Sequence, residues 1–318
     1  MPHEPTLEGA IAMAGLEHLL VATDLSGGSS LALDRGFVLA AGCGARLTIL
    51  HAVGIEGLAP LRRWLGADTD AVSRRLLDEA GERLAEFVAE STVRGGVVAD
   101  LRVDPGLAGT AIPAFCADAG VDLVLLGAHG SGFLQRMVLG STASRLLRRC
   151  RCPVLVVKQA AHKPYRRVLV AVDFSPGSEA TIGIARDLAP AADLVLLHVF
   201  SVPFEGKMQY AGVSDDVLYQ YRLDAREQAS QQLHELARSA GLSVGQYSGV
   251  VVHGDATRHI VEHEEKYRSD LVVMGKHGTH VTEELLLGSV TKRVLSESRG
   301  DVLVVLDPRQ SARIGVTP

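Results

Sequence analysis

The chain has 318 residues, 47% of them hydrophobic but only 4% aromatic, with 32 basic against 37 acidic side chains and a formal net charge of −5. A negative balance without a basic stripe excludes a general nucleic-acid binder, and no apolar run reaches the ~20 residues that cross a bilayer, so neither nucleic acid nor a membrane is expected as a partner. Cores built from Val, Leu, Ile and Ala are those of α/β proteins with buried parallel strands, and the length suits two domains.

Residues 1–14 hold no Lys or Arg and carry Glu4 and Glu8. A secretory signal starts positively, so this stretch reads as a flexible extension and the protein as cytoplasmic. The first domain is expected over 15–158. Residues 17–22 read as a strand ending at Thr23 and Asp24, and Ser29 or Ser30 is expected to cap a helix over 31–41 that Gly42 and Gly44 stop. A second strand covers 46–53, and a loop with Gly54, Gly57 and Pro60 follows. A long helix over 68–94 then sets Leu77, Leu84, Phe87 and Val88 on one face. A third strand over 97–103 leads into a helix ending near 119, a fourth strand over 121–126, a helix over 141–149 with basic residues in its last turn, and a fifth strand over 153–157. After a linker, 159–164, the second domain, 165–307, repeats the order, with strands over 167–171, 193–199, 244–252, 270–274 and 302–306 and a long helix over 214–240. Residues 308–318 form a polar tail. Strands alternating with helices indicate parallel sheets with right-handed crossovers.

The repetition is sharpest after the fourth strand of each half. Gly127, Gly130, Gly140 and Ser141 follow the pattern Gly-x2-Gly-x9-Gly-Ser, and Gly275, Gly278, Gly288 and Ser289 follow it again at a constant offset of 148. Glycine permits a sharp bend and close approach of a ligand to the backbone. The Gly-Ser pair stands where the first N–H groups of a helix lack partners, which suits an anion, and a serine hydroxyl there can cap the helix or bond a phosphate oxygen. Asp24 and Asp173 end the first strands of their halves, so a switch point between strands one and four would bring acid and glycine loop to one crevice.

Other motifs carry less. Cys43, Cys116, Cys150 and Cys152 all lie in the first half and lack Cys-x-x-Cys spacing, so they read as buried thiols rather than a metal or redox set. His129 and His277 share one slot in the two loops, as a nucleotide contact or as loop-shaping residues; His51 and His198 read as structural. His259 and His263 stand i, i+4 without the His-Glu-x-x-His order, and Arg148, Arg149 and Arg151 read as a solvated helix end. There is no Walker loop, no Gly-x-Ser-x-Gly and no paired Cys/His set for covalent catalysis, so no catalytic residues and no protein metal ligands are assigned.

With these motifs in hand, both halves resemble the universal stress protein family, and the whole chain its tandem form. The carriers are the two glycine motifs, the Asp-x-Ser-x-x-Ser turns at Asp24/Ser26/Ser29 and Asp173/Ser175/Ser178, and the strand ends Leu50-His51-Ala52 and Leu197-His198-Val199. The resemblance implies two tandem Rossmann-like domains of the adenine nucleotide alpha hydrolase type, each a five-stranded parallel sheet of order 3-2-1-4-5. It implies that the fifth strands, 154–157 and 302–305, pair within the chain, and a homodimer of tandem chains is expected. It further implies ATP or a related adenine nucleotide, with Mg²⁺, in a stress-linked regulator. Asp24 and Asp173 would meet the adenosine part, with Ala22, Ala52 and Leu126, or Ala171, Val199 and Met274, around the base. Gly127, His129, Gly130, Gly140, Ser141 and Thr142, and their counterparts Gly275, His277, Gly278, Gly288, Ser289 and Val290, would hold ribose and phosphates. Two rival readings stay open: a slow ATP-hydrolysing or ATP-consuming enzyme on the same fold, and a protein–protein scaffold with vestigial sites. The halves differ at Ala128 against Lys276 and at Arg136 against Glu284; Arg136 could neutralise phosphate and Glu283 and Glu284 would oppose it unless they point to solvent or a metal intervenes, so the first half is expected to bind nucleotide more tightly.

Overall fold

The computed structural model describes residues 15–55, 68–91, 93, 95–128, 139–161, 163–276 and 287–306. The first half runs β1 (His18–Thr23), α1 (Gly27–Cys43), β2 (Arg46–Val53), α2 (Asp68–Ala89), β3 (Ala99–Pro105), α3 (Ala108–Ala119), β4 (Leu123–Gly127), α4 (Ser141–Arg149) and β5 (Val154–Val157). The second runs β6 (Arg167–Val172), α5 (Ser178–Leu188), β7 (Asp193–Phe200), α6 (Glu205–Tyr210), α7 (Asp215–Ser239), β8 (Tyr247–His253), α8 (Ala256–Tyr267), β9 (Leu271–Gly275), α9 (Ser289–Glu297) and β10 (Asp301–Val305).

The strands form one sheet, β3-β2-β1-β4-β5-β10-β9-β6-β7-β8. Each half keeps the order 3-2-1-4-5, but the two are not separate sheets. They merge where β5 and β10 run antiparallel, Leu155 opposite Leu303, while the other neighbouring pairs are parallel. The central strands are covered on both faces, which is why their sequences are unbroken apolar runs; β1, β5 and β10 are buried along their whole length. Successive residues point to opposite faces: Leu19 and Val21 enter one core layer with Phe37 of α1, and Leu20 and Ala22 enter the other with Leu146 of α4. Both layers continue across the β5–β10 seam. Among the described residues no helix is long and apolar enough to cross a membrane.

Several boundaries move from the expected ones. Helix α1 starts four residues before 31, because Ser26 caps it by accepting from the Ser29 N–H at 3.3 Å. The Ser29 hydroxyl is engaged elsewhere, with Thr23 Oγ1 at 2.8 Å and the Ser26 carbonyl at 2.9 Å. Strand β3 extends to Pro105, which is tolerated because β3 is an edge strand with no further ladder to donate to. The six-residue α6 has no counterpart in the sequence reading. The N-terminal extension, most of the loop from 54 and the tail lie outside the described residues.

A buried polar cluster ties the halves together. The fully buried Asp301 carboxylate lies 3.2 Å from Arg35 Nε of α1. That approach is an ion pair without hydrogen-bond geometry at Nε, and Arg35 Nη1 donates instead to the Lys163 carbonyl. Asp301 also accepts from the Tyr165 hydroxyl at 2.6 Å and the Lys158 and Gln159 N–H groups at 2.8 and 3.1 Å, while the Arg35 guanidinium sits 4.0 Å over the Tyr165 ring. Burial and the Asp301 charge hold the Tyr165 phenol well above its usual range, so it stays a donor.

Candidate functional site

Each half opens a cleft where the chain switches from its first strand to its fourth. Ala22 of β1 pairs with Leu126 of β4, and Ala171 of β6 with Met274 of β9. The strand ends therefore lie side by side with nothing of the ladder beyond them, the place where open α/β sheets take ligands.

The first cleft, about 240 Å³, is lined by Ala22, Asp24, Ala52, Leu126, Gly127, Gly140, Ser141 and Thr142 among others. The second, about 290 Å³, is lined by Ala171, Asp173, Val199, Met274, Gly275, Gly288, Ser289 and Val290. These are eight of the residues singled out in each half. His129, Gly130, His277, Gly278, Arg136, Glu283 and Glu284 lie outside the described residues. The sequence reading missed Ala108 and Ile112 of α3 and Ala256 and Ile260 of α8, which form one wall of each cleft. A signal existed: both pairs are spaced i, i+4 and repeat at the offset of 148.

The acidic turns are built alike. Asp24 Oδ1 accepts from Ser26 N–H at 3.2 Å and Ser26 Oγ at 2.5 Å, and Asp173 Oδ1 from Ser175 N–H at 3.0 Å and Ser178 Oγ at 3.1 Å. Leu25 and Phe174, next in each turn, take φ near +60°, so the turn's own hydrogen bonds hold a conformation that side chains rarely adopt. His51 Nδ1–H donates to the Thr23 carbonyl and His198 Nδ1–H to the Val172 carbonyl, both at 2.9 Å, tying second strand to first at the cleft edge. Burial lowers the His198 pKa, and its ring stacks on Phe174 at 3.9 Å, so it sits there neutral.

The glycines answer to packing and to helix ends. A Cβ on Gly127 would stand 2.4 Å from the Gly28 carbonyl oxygen, because β4 ends against the first turn of α1. Gly140 and Gly288 are the N-caps of α4 and α9, and no side chain caps either helix. Their N–H groups bond back to the carbonyls of Ala128 and Lys276, both at 3.1 Å, which ties each helix start to its strand end. Neither helix has an acidic residue in its first turn. Two helix N-termini therefore face the clefts with partial positive charge that no acidic side chain of their own first turn offsets.

The hydroxyls differ between clefts. Ser141 and Thr142 are both exposed at the first, whereas in the second Val290 replaces Thr142. The Thr291 hydroxyl next to it is bound to the Gly275 carbonyl at 3.1 Å. Lys276 does not turn toward its own cleft; it is buried, and its Nζ donates to the Arg148 carbonyl of α4 in the other half at 3.0 Å. The decoy residues are engaged locally: His259 and His263 bond the carbonyls of His253 and His259. Arg149 is not simply solvated, since it donates to the Gly109 carbonyl of α3 at 3.0 Å.

The profile of the universal stress protein family matches residues 15–158 and again 164–305. A universal stress protein of Mycolicibacterium smegmatis is 34% identical over 197 residues, 59% of this chain and 63% of the relative, so the chain spans about three fifths of that relative's length. A universal stress protein of Mycobacterium tuberculosis is 29% identical over 278 residues, covering 81% of this chain and 86% of the relative. In structure, a universal stress protein from Archaeoglobus fulgidus superposes with a TM-score of 0.62 over 91% of this chain and 98% of that one at 18% identity, a likeness of fold alone.

Proposed function

The chain belongs to the universal stress protein family, and from that premise we propose that it binds ATP or a related adenine nucleotide in each cleft and acts as a stress-linked regulator rather than as an enzyme with a dedicated catalytic set. The observation that carries this reading is the convergence, twice, of an acidic turn, a small-residue pocket and an uncapped helix N-terminus on one crevice at the strand switch point. The triphosphate would rest on the first N–H groups and the serine hydroxyl of α4 or α9. Adenosine would lie over Ala22 and Ala52, or Ala171 and Val199, toward the acidic turn. Charge-assisted hydrogen bonds to phosphate contribute on the order of 1.5–3 kcal/mol each before the cost of ordering.

Mg²⁺ fits this arrangement as a companion of the phosphates. Among the described residues no group of three or more His, Cys, Asp or Glu side chains is placed to hold a metal, and Mg²⁺ commonly takes most of its ligands from phosphate and water. The decisive experiment denatures the purified chain and identifies released small molecules by mass spectrometry, followed by calorimetric titration with Mg·ATP. Release of an adenine nucleotide, approaching two per chain on saturation, is expected; neither released nor added nucleotide binding at millimolar concentration would overturn the reading in favour of a scaffold.

A further inference from the structure

Each of the two helices that begin at a cleft ends at a lysine from the other half. Helix α4 starts at Ser141, on the first cleft, and its late carbonyl, that of Arg148, accepts from Lys276 Nζ at 3.0 Å. Helix α9 starts at Ser289, on the second cleft, and the carbonyl of its C-cap residue Ser298 accepts from Lys158 Nζ at 2.6 Å. Carbonyls at a helix C-terminus have no partner within the helix, and a cation there complements the helix dipole. Both helices have only nine residues, about 13 Å of rise, so a movement at one end is a movement of the whole.

The lysines are also joined to the cleft edges of their own halves. The Lys276 carbonyl accepts from Gly288 N–H at 3.1 Å and Thr291 Oγ at 3.3 Å, both at the second cleft, and its N–H donates to the end of β10 at Val305. In the first half Ala128 N–H donates to the Val157 carbonyl at 3.0 Å, and Lys158 follows directly. The contacts are reciprocal without being symmetric copies: the counterparts at the offset of 148 are Ala128 for Lys276 and Leu306 for Lys158. Lys276 is only 4% exposed, so its bond to Arg148 lies in the interior, where polar partners are costly to lose.

We propose that the two clefts are thermodynamically coupled through Lys276 and Lys158, so that filling one raises the affinity of the other. This rests on the nucleotide reading above. A ligand seated on the N-terminus of α4 steadies that helix, which steadies Lys276 and with it Gly288 and Thr291 at the start of α9; Lys158 and α9 carry the reverse effect. A site already steadied needs less ordering on binding, which is positive cooperativity without a large conformational change. Lys158 and Lys276 are positioning residues here and touch no ligand.

The test is a binding cycle by calorimetry with Mg·ATP on the full chain. Gly140→Asp and Gly288→Asp each leave one working cleft and give its affinity alone; the unblocked chain gives the product of both stepwise constants. Coupling at the usual scale makes that product at least about fivefold more favourable than the product of the two single-cleft affinities. The pair Lys276→Ala and Lys158→Leu, which installs what the opposite half already carries, brings the ratio within about twofold of one, with circular dichroism and thermal midpoint confirming the fold. A structural loss would weaken both affinities and leave the ratio unchanged. If the pair fails to fold, Lys276→Ala alone, expected at least to halve the departure from one, decides the matter. A ratio near one in the parent, a ratio below one, or one that survives the lysine changes overturns the inference while leaving nucleotide binding intact; absence of any binding overturns both readings together.

Discussion

The two halves share a fold and a cleft, yet behind the cleft they use opposite chemistry at equivalent positions. In the second half Glu264 of α8 is buried, and its Oε1 accepts from Ser298 Oγ at 2.8 Å and from the Arg299 and Gly300 N–H groups at 3.0 and 2.6 Å. At the same offset the first half places Cys116, Cys150 and Cys152, all buried, with the Cys116 thiol against the other two. The hydrogen bond from Cys150, with burial, pushes the Cys116 thiol up to about 12, and contact with Cys116 and burial raise that of Cys152, so these two stay protonated at neutral pH. One half joins its last helix and strand to the preceding helix by a carboxylate that collects donors, the other by small soft side chains. The turn needs its space filled and its donors satisfied; it does not need a particular charge.

The largest test lies at the seam, where one of two pseudo-equivalent contacts between the halves is charged and the other is not. The counterparts of Arg35 and Asp301 are Ile184 and Pro153, taking the offsets of Asp24/Asp173 and of the glycine motifs. Asp301→Ala strands the buried Arg35 and is expected to cost about 3–5 kcal/mol in urea unfolding; a loss below ~1 kcal/mol would mean the seam is held by β5–β10 packing alone. Next, Glu264→Ala leaves three donors wanting and should cost about 1–3 kcal/mol, against about 1 kcal/mol for Cys116→Ala, which removes roughly one methylene's worth of burial. Equal losses would refute the contrast.

Third comes the clefts' own asymmetry. Gly140 has an ordinary φ of −56° and its Cβ would sit 3.4 Å from the Ala128 carbonyl, so Gly140→Asp adds charge with little strain. Together with the free Thr142 hydroxyl, this predicts a loss of about tenfold or more in total nucleotide affinity for Gly140→Asp and a smaller one for Gly288→Asp. Equal losses in calorimetry would remove the asymmetry. The smallest effect concerns pH. Burial holds the Lys158 ammonium down at about 8 against an ordinary 10.5. Between those values the unfolded chain binds more protons, so this group's contribution to stability rises with pH across that window and its cost is fully present below about 8. The stability gained by Lys158→Leu should therefore shrink as pH is raised from about 7.5 to 9.5; a constant difference would show that Lys158 does not titrate there.

Much of this was legible in the chain. Repeated strands, glycine loops and acidic turns are local patterns, and Asp24, Gly127, Gly140 and Ser141 met where the β1–β4 switch placed them. What escaped depends on side chains from distant segments. The cap of α1 is Ser26 rather than Ser29 or Ser30, whose hydroxyls bond Thr23 and the Ser26 carbonyl, and the Gly27 carbonyl, respectively. Lys276 follows the first glycine of its own motif, but its four-carbon stem crosses to Arg148, 128 positions away. Arg35, Tyr165 and Asp301 carry no motif at all; only the seam between halves gives them a common address.

The antiparallel meeting of β5 and β10 has a geometric outcome beyond joining two cores. Strands on its two sides point in opposite senses, and each crevice belongs to the carboxyl ends of its own strands, so the mouths open on opposite rims of one slab. Anything seated over one mouth would leave the other uncovered.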